Sequence, residues 1–265
     1  NSLSGHADSI PKAQGIHLNR ADNLRGDLDP APISLSLVRN SNAVAMESFY
    51  ELTMQHMKEI CDHIRDRFEA MDRARESTLA ATRKITRNSG DSIKAIHREE
   101  WEQAERLMQE TKDLVEGLKG SLKDFPEIYY SGYVENAQTE FAEVSILYAI
   151  LHDSQVPTPH ELNIENAAYL NGVGDATGEL RRHILDLIRN RKPEEGEKYL
   201  DIMDEYYTQM MSFDYPDAIM HGLRKKTDVA RSLIERTRGD LTNALQVKEL
   251  ETSMKKFEKN FKPGT

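Results

Sequence analysis

The sequence contains very little cysteine: Cys61 is the only one among 265 residues. A single cysteine can form neither an intramolecular disulfide nor a multi-thiolate metal site, so the composition fits a reducing, cytoplasmic compartment. No segment approaches the roughly 20 consecutive apolar residues that a membrane-spanning helix needs, and the first residues lack the basic-then-apolar pattern of a signal peptide. Apolar and polar residues nowhere alternate as in half-buried strands. We therefore expect no disulfide framework, no membrane partner and no sheet.

Aromatic residues are also scarce, at 7%, whereas charged residues make up 30% and the formal net charge is −10. This composition is typical of helical proteins whose exposed faces carry many ion pairs. The negative net charge argues against indiscriminate binding to nucleic acid, but it does not exclude a local basic patch.

The apolar residues recur at three- and four-residue steps, which predicts an all-α fold. The first long helix is predicted from Met46 to about Arg87, with a break at Asn88, Ser89 and Gly90. Further helices are predicted over residues 92–123, 125–153, 158–190, 193–213 and 216–259. Residues 1–44 lack a sustained helical period and predict a flexible or draped extension, so residues 45–262 are expected to form the helical domain.

Two of the predicted helices have clear start signals. Asp124 is the expected N-cap before Pro126, and Thr158 is the expected N-cap before Pro159 and Glu161. A capping residue, a proline in the first turn and an acid at the third helical position together favour a helix start.

The segment Tyr169–Leu180, YLNGVGDATGEL, is the most unusual part of a predicted helix. Its three glycines each cost roughly 1 kcal/mol against alanine in a helix interior, which suggests the close approach of another backbone or of a ligand. Asp175 and Glu179 are spaced i,i+4, on the side opposite the apolar stripe of their own helix. They could therefore form either a solvated acidic face or part of a site.

A second acidic pair, Glu140 and Glu143, lies one helix earlier. It shares a stripe with apolar and aromatic residues, whereas Glu135 is expected on the solvated side with Gln138 and Thr139. Two half-buried carboxylates about 5 Å apart repel by roughly 3 kcal/mol at an effective dielectric of about 20, so they need compensation.

We hypothesise that the two helices cross and that Glu140, Glu143, Asp175 and Glu179 converge around a divalent metal ion. Oxygen-only ligands suit Mg²⁺, with Mn²⁺ as a possible substitute, and these ions commonly serve phosphoryl transfer. A di-iron centre is disfavoured because neither acidic pair has a histidine three residues further on, His183 being four after Glu179.

The segment YLNGVGDATGEL, the upstream segment TEFAEVSILYAIL (residues 139–151) and the DFPEIYY turn (residues 124–130) resemble the translin family, in its catalytic branch of the translin-associated factor X type. The resemblance extends more loosely over about residues 49–250. It implies an all-α bundle of about seven long helices that assembles into a hollow oligomer, typically an octamer, enclosing RNA.

In the catalytic branch, the resemblance further implies, two glutamates and one aspartate bind Mg²⁺ and cleave RNA. Glu140, Glu143 and Asp175 occupy those positions here, and Glu179 is the further acid of the motif. The non-catalytic translin branch has an apolar residue where Asp175 stands, so Asp175 separates enzyme from binding subunit. Gly174 departs from the family pattern, as does Asn171, and both bear on local packing.

A basic cluster precedes this region and contains only one acid, Asp91. A solvated helix face would explain it, but together with the family resemblance it predicts an RNA-binding surface inside the shell. Its residues are Arg83, Lys84, Arg87, Lys94, His97 and Arg98.

The sequence thus leaves three hypotheses. The first is an Mg²⁺-dependent endoribonuclease, either a homo-oligomer or one that needs a translin-type partner subunit. The second is a non-catalytic shell protein that binds RNA or DNA. The third is a helical scaffold whose acids only decorate its surface.

Overall fold

The computed structural model describes residues 35–260, and the predicted extension over residues 1–44 lies for its greater part outside them. Within the described range the secondary structure is helical, without a strand, which confirms the all-α prediction. No helix in this range is long and apolar enough to cross a membrane. The helices are α1 (Leu35–His97), α2 (Trp101–Ser121), α3 (Pro126–Tyr129), α4 (Gly132–Leu151), α5 (Pro159–Leu162), α6 (Asn166–Arg189), α7 (Glu197–Met211), α8 (Asp217–Met220) and α9 (Leu223–Asn260).

The chain divides into two compact units, Asn1–Cys61 and Asp62–Thr265. The described part of the first unit is helical, and its side chains from Val44 to Cys61 are exposed. The second unit contains a hydrophobic core in which the largest fully buried side chains include Phe141, Ile146 and Leu180. Helices α4 and α6 make the most extensive helix pair in this unit, and α6 also packs against α7 and α9.

The predicted break at Asn88, Ser89 and Gly90 is wrong, because α1 continues through these residues to His97. Asn88 and Ser89 are buried, and Ser92 Oγ donates a hydrogen bond of 2.8 Å to the Asn88 carbonyl. Core residues Ile85 and Ile93 are buried on either side, so packing stabilises a helical turn that local composition disfavours. The chain leaves the helix only after His97, with Glu99 at φ 59°.

The helix predicted over residues 125–153 is two helices. Phe125, rather than Asp124, occupies the N-cap of α3, and Ser131 separates α3 from α4. The capping box at Thr158 is confirmed: its side chain accepts a hydrogen bond from Glu161 N–H, and the Glu161 carboxylate accepts one from Thr158 N–H. That helix nevertheless ends after one turn, because Asn163 adopts a left-handed conformation at φ 55°.

The last two predicted helices also begin differently from expectation. A 3₁₀ turn, Pro193–Gly196, precedes α7. Pro216 is the N-cap of the short helix α8, as the proline signal predicts, but His221 and Gly222 have positive φ and separate α8 from α9.

Helix α4 does not have the solvated side that the sequence pattern predicts. Gln138 and Thr139 are buried, at 2% and 7% exposure. The Gln138 amide donates to the Tyr129 hydroxyl at 3.3 Å and accepts from Glu165 N–H at 3.1 Å, so it links α3, α4 and the start of α6. These hydrogen bonds compensate the burial of a polar side chain.

Candidate functional site

Helices α4 and α6 cross in close contact at Gly172. A Cβ atom built on Gly172 would lie 2.5 Å from Ala142 Cβ and 2.9 Å from the Thr139 carbonyl oxygen. It would also lie 3.0 Å from the backbone nitrogen of Glu143. Only glycine fits here, and the predicted close approach of another backbone is confirmed. The contact places the acidic segment of α6 directly beside the acidic segment of α4.

Gly174 has a different neighbour, the last helix. A Cβ atom built on Gly174 would lie 2.8 Å from Lys226 Cβ and 3.6 Å from Met210 Sδ. Helix α9 therefore reaches α6 through this glycine. Gly178 has no comparable role, because the nearest atom to a Cβ built there is Leu233 Cδ1 at the ordinary contact distance of 3.9 Å.

The four predicted acids are brought to one place by this crossing. Burial raises the pKa of Glu143 to about 8, and the negative charges of Asp175, Glu140 and Glu179 raise it further in that order of importance. Burial, and after it the charge of Asp175, also raises the pKa of Glu140. Neither glutamate accepts a hydrogen bond from any residue between 35 and 260. The compensation that the sequence pattern requires must therefore come mainly from charges nearby.

Lys226 of α9 supplies a positive charge to this cluster. Its ammonium group donates a short hydrogen bond to Asp175 Oδ1, and both side chains are about one-third exposed. The same charge acts against the raised pKa of Glu140 and of Glu143. Sequence reasoning missed this lysine because it lies 51 positions from Asp175 and no motif contains it.

Glu179 is paired with a buried histidine. His97 Nε2 lies 2.6 Å from Glu179 Oε2, and the histidine side chain is only 4% exposed. This hydrogen bond is the main reason that the pKa of Glu179 is lowered, and Arg182 at 3.5 Å contributes as well. The prediction that His97 belongs to an RNA-binding surface is therefore wrong, because the residue is buried against an acid of the site.

No group of three or more His, Cys, Asp or Glu side chains within residues 35–260 is arranged to hold a metal ion as it stands. The donor chemistry nevertheless fits Mg²⁺: the four acids offer only carboxylate oxygens, and Glu143 is buried among like charges that a divalent cation would neutralise. Lys226 occupies the position of a counter-ion to Asp175. Metal binding would therefore require the lysine to give up this contact.

A pocket of about 180 Å³ adjoins the acids and shares Lys226 with them. Polar groups of α4 and α6 line it, among them Asn136, Thr139 and Asn171, and Glu135 forms a 2.6 Å pair with His221 at its edge. A larger pocket of about 690 Å³ lies between α2 and α4, but its lining includes none of the four acids. The smaller pocket is thus the opening that belongs to the site.

The remaining basic residues of the predicted RNA-binding cluster are exposed on α1. Lys84, Lys94 and Arg98 form exposed ion pairs with Glu110 at 3.8 Å, Asp91 at 2.9 Å and Glu100 at 3.2 Å. Such pairs are weak and can exchange for phosphate. Arg83 and Arg87, one turn apart, have no ion-pair partner in the part of the chain that the structure describes. Because His97 contacts Glu179, this basic face leads along α1 towards the acidic site.

Comparison with known proteins places this geometry in context. No protein-family model matches the chain. An uncharacterised protein of Methanocaldococcus jannaschii is 33% identical over 190 residues, which cover 71% of this chain and 83% of that protein.

Solved structures resemble the chain over a similar extent. A structure of AfC3PO in complex with duplex RNA shares 33% identity and a TM-score of 0.65, and it covers 70% of this chain and 96% of that one. A crystal structure of AfC3PO shares 34% identity and a TM-score of 0.65, with coverage of 70% and 97%. Apo-NeC3PO, at 19% identity, has a TM-score of 0.64 with coverage of 69% and 96%, and it supports the fold alone.

Proposed function

The chain belongs to the C3PO/translin family, and from that premise we propose that it is an RNA-binding protein with an Mg²⁺-dependent endoribonuclease site of the translin-associated factor X type. The observation that carries the proposal is the convergence of Glu140, Glu143, Asp175 and Glu179 where α4 crosses α6 at Gly172. Asp175 is the decisive residue, because the resemblance associates an acid at this position with the catalytic branch.

RNA binding is supported by two observations. One AfC3PO structure is described as a complex with duplex RNA. In this chain, Arg83, Lys84, Arg87, Lys94 and Arg98 form an exposed basic face on an otherwise acidic protein. Exposed arginines and lysines that exchange weak ion pairs for phosphates provide affinity without sequence preference.

The proposed chemistry is the hydrolysis of a phosphodiester bond. Glu140, Glu143 and Asp175 would hold the metal ion, and Glu179 would complete or orient the ligand set. When bound, Mg²⁺ or Mn²⁺ supplies positive charge for the scissile phosphate and lowers the pKa of a water molecule.

The chain's own residues prepare that site in two ways. Burial and mutual repulsion keep Glu143 in a state that favours partnership with a cation. The buried His97 holds the Glu179 carboxylate through Nε2, and this fixes the orientation of the acid. The neighbouring pocket, lined by Asn136, Thr139 and Asn171, gives a nucleotide access to the acids.

The test is an RNA cleavage assay with the full chain. Labelled single-stranded RNA and duplex RNA are incubated with Mg²⁺, with EDTA, and with the E143Q variant in Mg²⁺. We expect cleavage only by the wild type in Mg²⁺. RNA that stays intact in that sample, while a gel shift demonstrates binding, would refute the nuclease and leave a binding protein.

A non-catalytic RNA- or DNA-binding shell protein is the second candidate, and one observation favours it. Asp175 is paired with Lys226, and no described group of acids is arranged around a metal position. If this pairing persists at millimolar Mg²⁺, the acids serve the α6–α9 contact instead of catalysis. The EDTA arm of the cleavage assay separates the two candidates.

We also propose that the protein self-assembles, as a homo-oligomer of up to an octamer or with a translin-type partner subunit. The first unit supports this proposal by itself, since α1 carries large exposed apolar side chains that include Phe49, Tyr50 and Met54, at 71%, 68% and 57% exposure. A helix face of this kind is stable in water when another chain covers it. Light scattering after size exclusion should give a mass several times 30.3 kDa, and a monomer would refute assembly.

A further inference from the structure

We propose that Lys226 is a built-in counter-cation of the acidic site and that a divalent ion binds there by exchange with this lysine. The inference rests on the proposed function, since it concerns how the same site takes up its metal. It adds a residue of α9 to a site otherwise formed by α4, α6 and the end of α1.

The position of Lys226 is the first argument. Its ammonium group contacts the Asp175 carboxylate directly and acts electrostatically on Glu140 and Glu143. It therefore lies among three of the four acids. A carboxylate that donates its electron pairs to an ammonium group cannot also bind a metal ion at the same oxygen, so the lysine and the ion compete for Asp175.

The path of the lysine stem is the second argument. A Cβ atom on residue 174 would meet Lys226 Cβ at 2.8 Å, so the absence of a side chain at Gly174 is what lets the lysine approach the acids. Gly174 lies next to Asp175 in the chain. The glycine, the lysine and the aspartate thus form one arrangement: the first makes room for the second, and the second pairs with the third.

The lysine also has a place to go when it leaves Asp175. Its side chain is 37% exposed and lines the 180 Å³ pocket beside the acids. Rotation of the flexible stem into this pocket moves the ammonium group into solvent without disturbing the packing of α9. The exchange therefore needs a side-chain movement and no rearrangement of helices.

The experiment compares Mg²⁺ affinity among variants, measured as the rise in melting temperature when MgCl₂ is added to the full-length protein at pH 8.5. An opposite charge in contact typically shifts a carboxylate equilibrium by about 1–3 pKa units, so K226M should respond at roughly tenfold lower Mg²⁺ than the wild type. K226R keeps the charge and should respond like the wild type or more weakly. K225M removes the exposed neighbouring charge on α9 and should not change the response.

The G174A variant tests the same idea without removing the lysine. Its added methyl group should displace the Lys226 stem, and we expect a shift in Mg²⁺ response in the same direction as K226M.

Two results would overturn the inference, and they differ in what they leave standing. If E143Q abolishes the Mg²⁺ response but K226M responds at the same or higher concentration than the wild type, the exchange is wrong and the metal site remains. If neither the wild type nor K226M responds to Mg²⁺, or if the response survives in E143Q, the proposed metal site fails and the exchange fails with it.

Discussion

The E143Q variant should change how the stability of the metal-free protein depends on pH. Burial and three neighbouring acids raise the pKa of Glu143 from 4.5 to about 8 in the folded chain. Below pH 4.5 the residue is protonated in both the folded and the unfolded states and contributes nothing. Between pH 4.5 and 8 the unfolded chain releases the proton while the folded chain retains it, so the free energy of unfolding falls as the pH rises.

The size of this effect follows from the two pKa values. At about 1.4 kcal/mol per pH unit, the loss of stability between pH 4.5 and 8 is at most about 5 kcal/mol, and movement of the side chains reduces it. Glutamine has nearly the same shape but cannot ionise. E143Q should therefore gain several kcal/mol on the wild type between pH 5 and pH 9, whatever constant offset its amide introduces.

The assay is urea unfolding in EDTA at pH 5, 7 and 9, with E116Q as the matched control. Glu116 is an exposed residue of α2, so its replacement should leave the pH dependence unchanged. If the difference between E143Q and the wild type is the same at pH 5 and pH 9, Glu143 is not held among like charges, and the electrostatic argument for the site fails.

Three further predictions concern the metal, the helix crossing and RNA. D175N should lose RNA cleavage by at least a hundredfold while RNA affinity stays within about threefold of the wild type, because it removes a proposed metal ligand and leaves the basic face intact. G172A should lower the free energy of unfolding by about 2–3 kcal/mol in urea, because its methyl group would overlap Ala142 and the Thr139 carbonyl, whereas G117A, with open space around it, should gain about 0.5–1 kcal/mol. The double variant R83E/R87E should weaken RNA binding and lower the salt dependence by about 0.7 per lost phosphate contact for a single strand, measured by fluorescence anisotropy at several salt concentrations.

Each of these predictions has a distinct contradicting result. Retained cleavage by D175N would remove the residue from the catalytic site. A G172A protein as stable as the wild type would mean that α4 and α6 do not approach as closely as described. Unchanged RNA affinity in R83E/R87E, with the same oligomeric mass, would assign the basic face of α1 to solvent.

Sequence patterns predicted those features that depend on neighbouring residues. The capping box at Thr158 and Glu161 was predictable because a cap needs only residues three positions apart. The crossing at Gly172 could be inferred because a glycine in a helix interior demands a reason, and close backbone approach is a common one. Both features are local in sequence, although the second describes a contact that is not.

Turn signals were less dependable where the core was strong. Asn88, Ser89 and Gly90 indicate a turn by composition, but the buried isoleucines on either side hold α1 helical. Conversely, the helices predicted to start at Thr158 and Pro216 each stop after one turn, at residues with positive φ. A single left-handed residue can end a helix without leaving a strong mark in the periodicity of the sequence.

The parts of the site that the sequence did not predict come from distant helices. His97 lies 82 positions from Glu179, and Lys226 lies 51 positions from Asp175. His97 sits in a basic cluster, which suggested phosphate contact, and only the fold reveals that its ring is buried against an acid. Gly174 was noted as a departure from the family pattern, but its consequence for Lys226 depends on the position of α9.

Metal binding between the two acidic helices is the central claim, and anomalous diffraction from crystals soaked in Mn²⁺ tests it most directly. The account predicts a peak between Glu143 and Asp175, with the Lys226 ammonium group withdrawn from Asp175. A map with no peak there, in which Lys226 still contacts Asp175 at millimolar Mn²⁺, would contradict it.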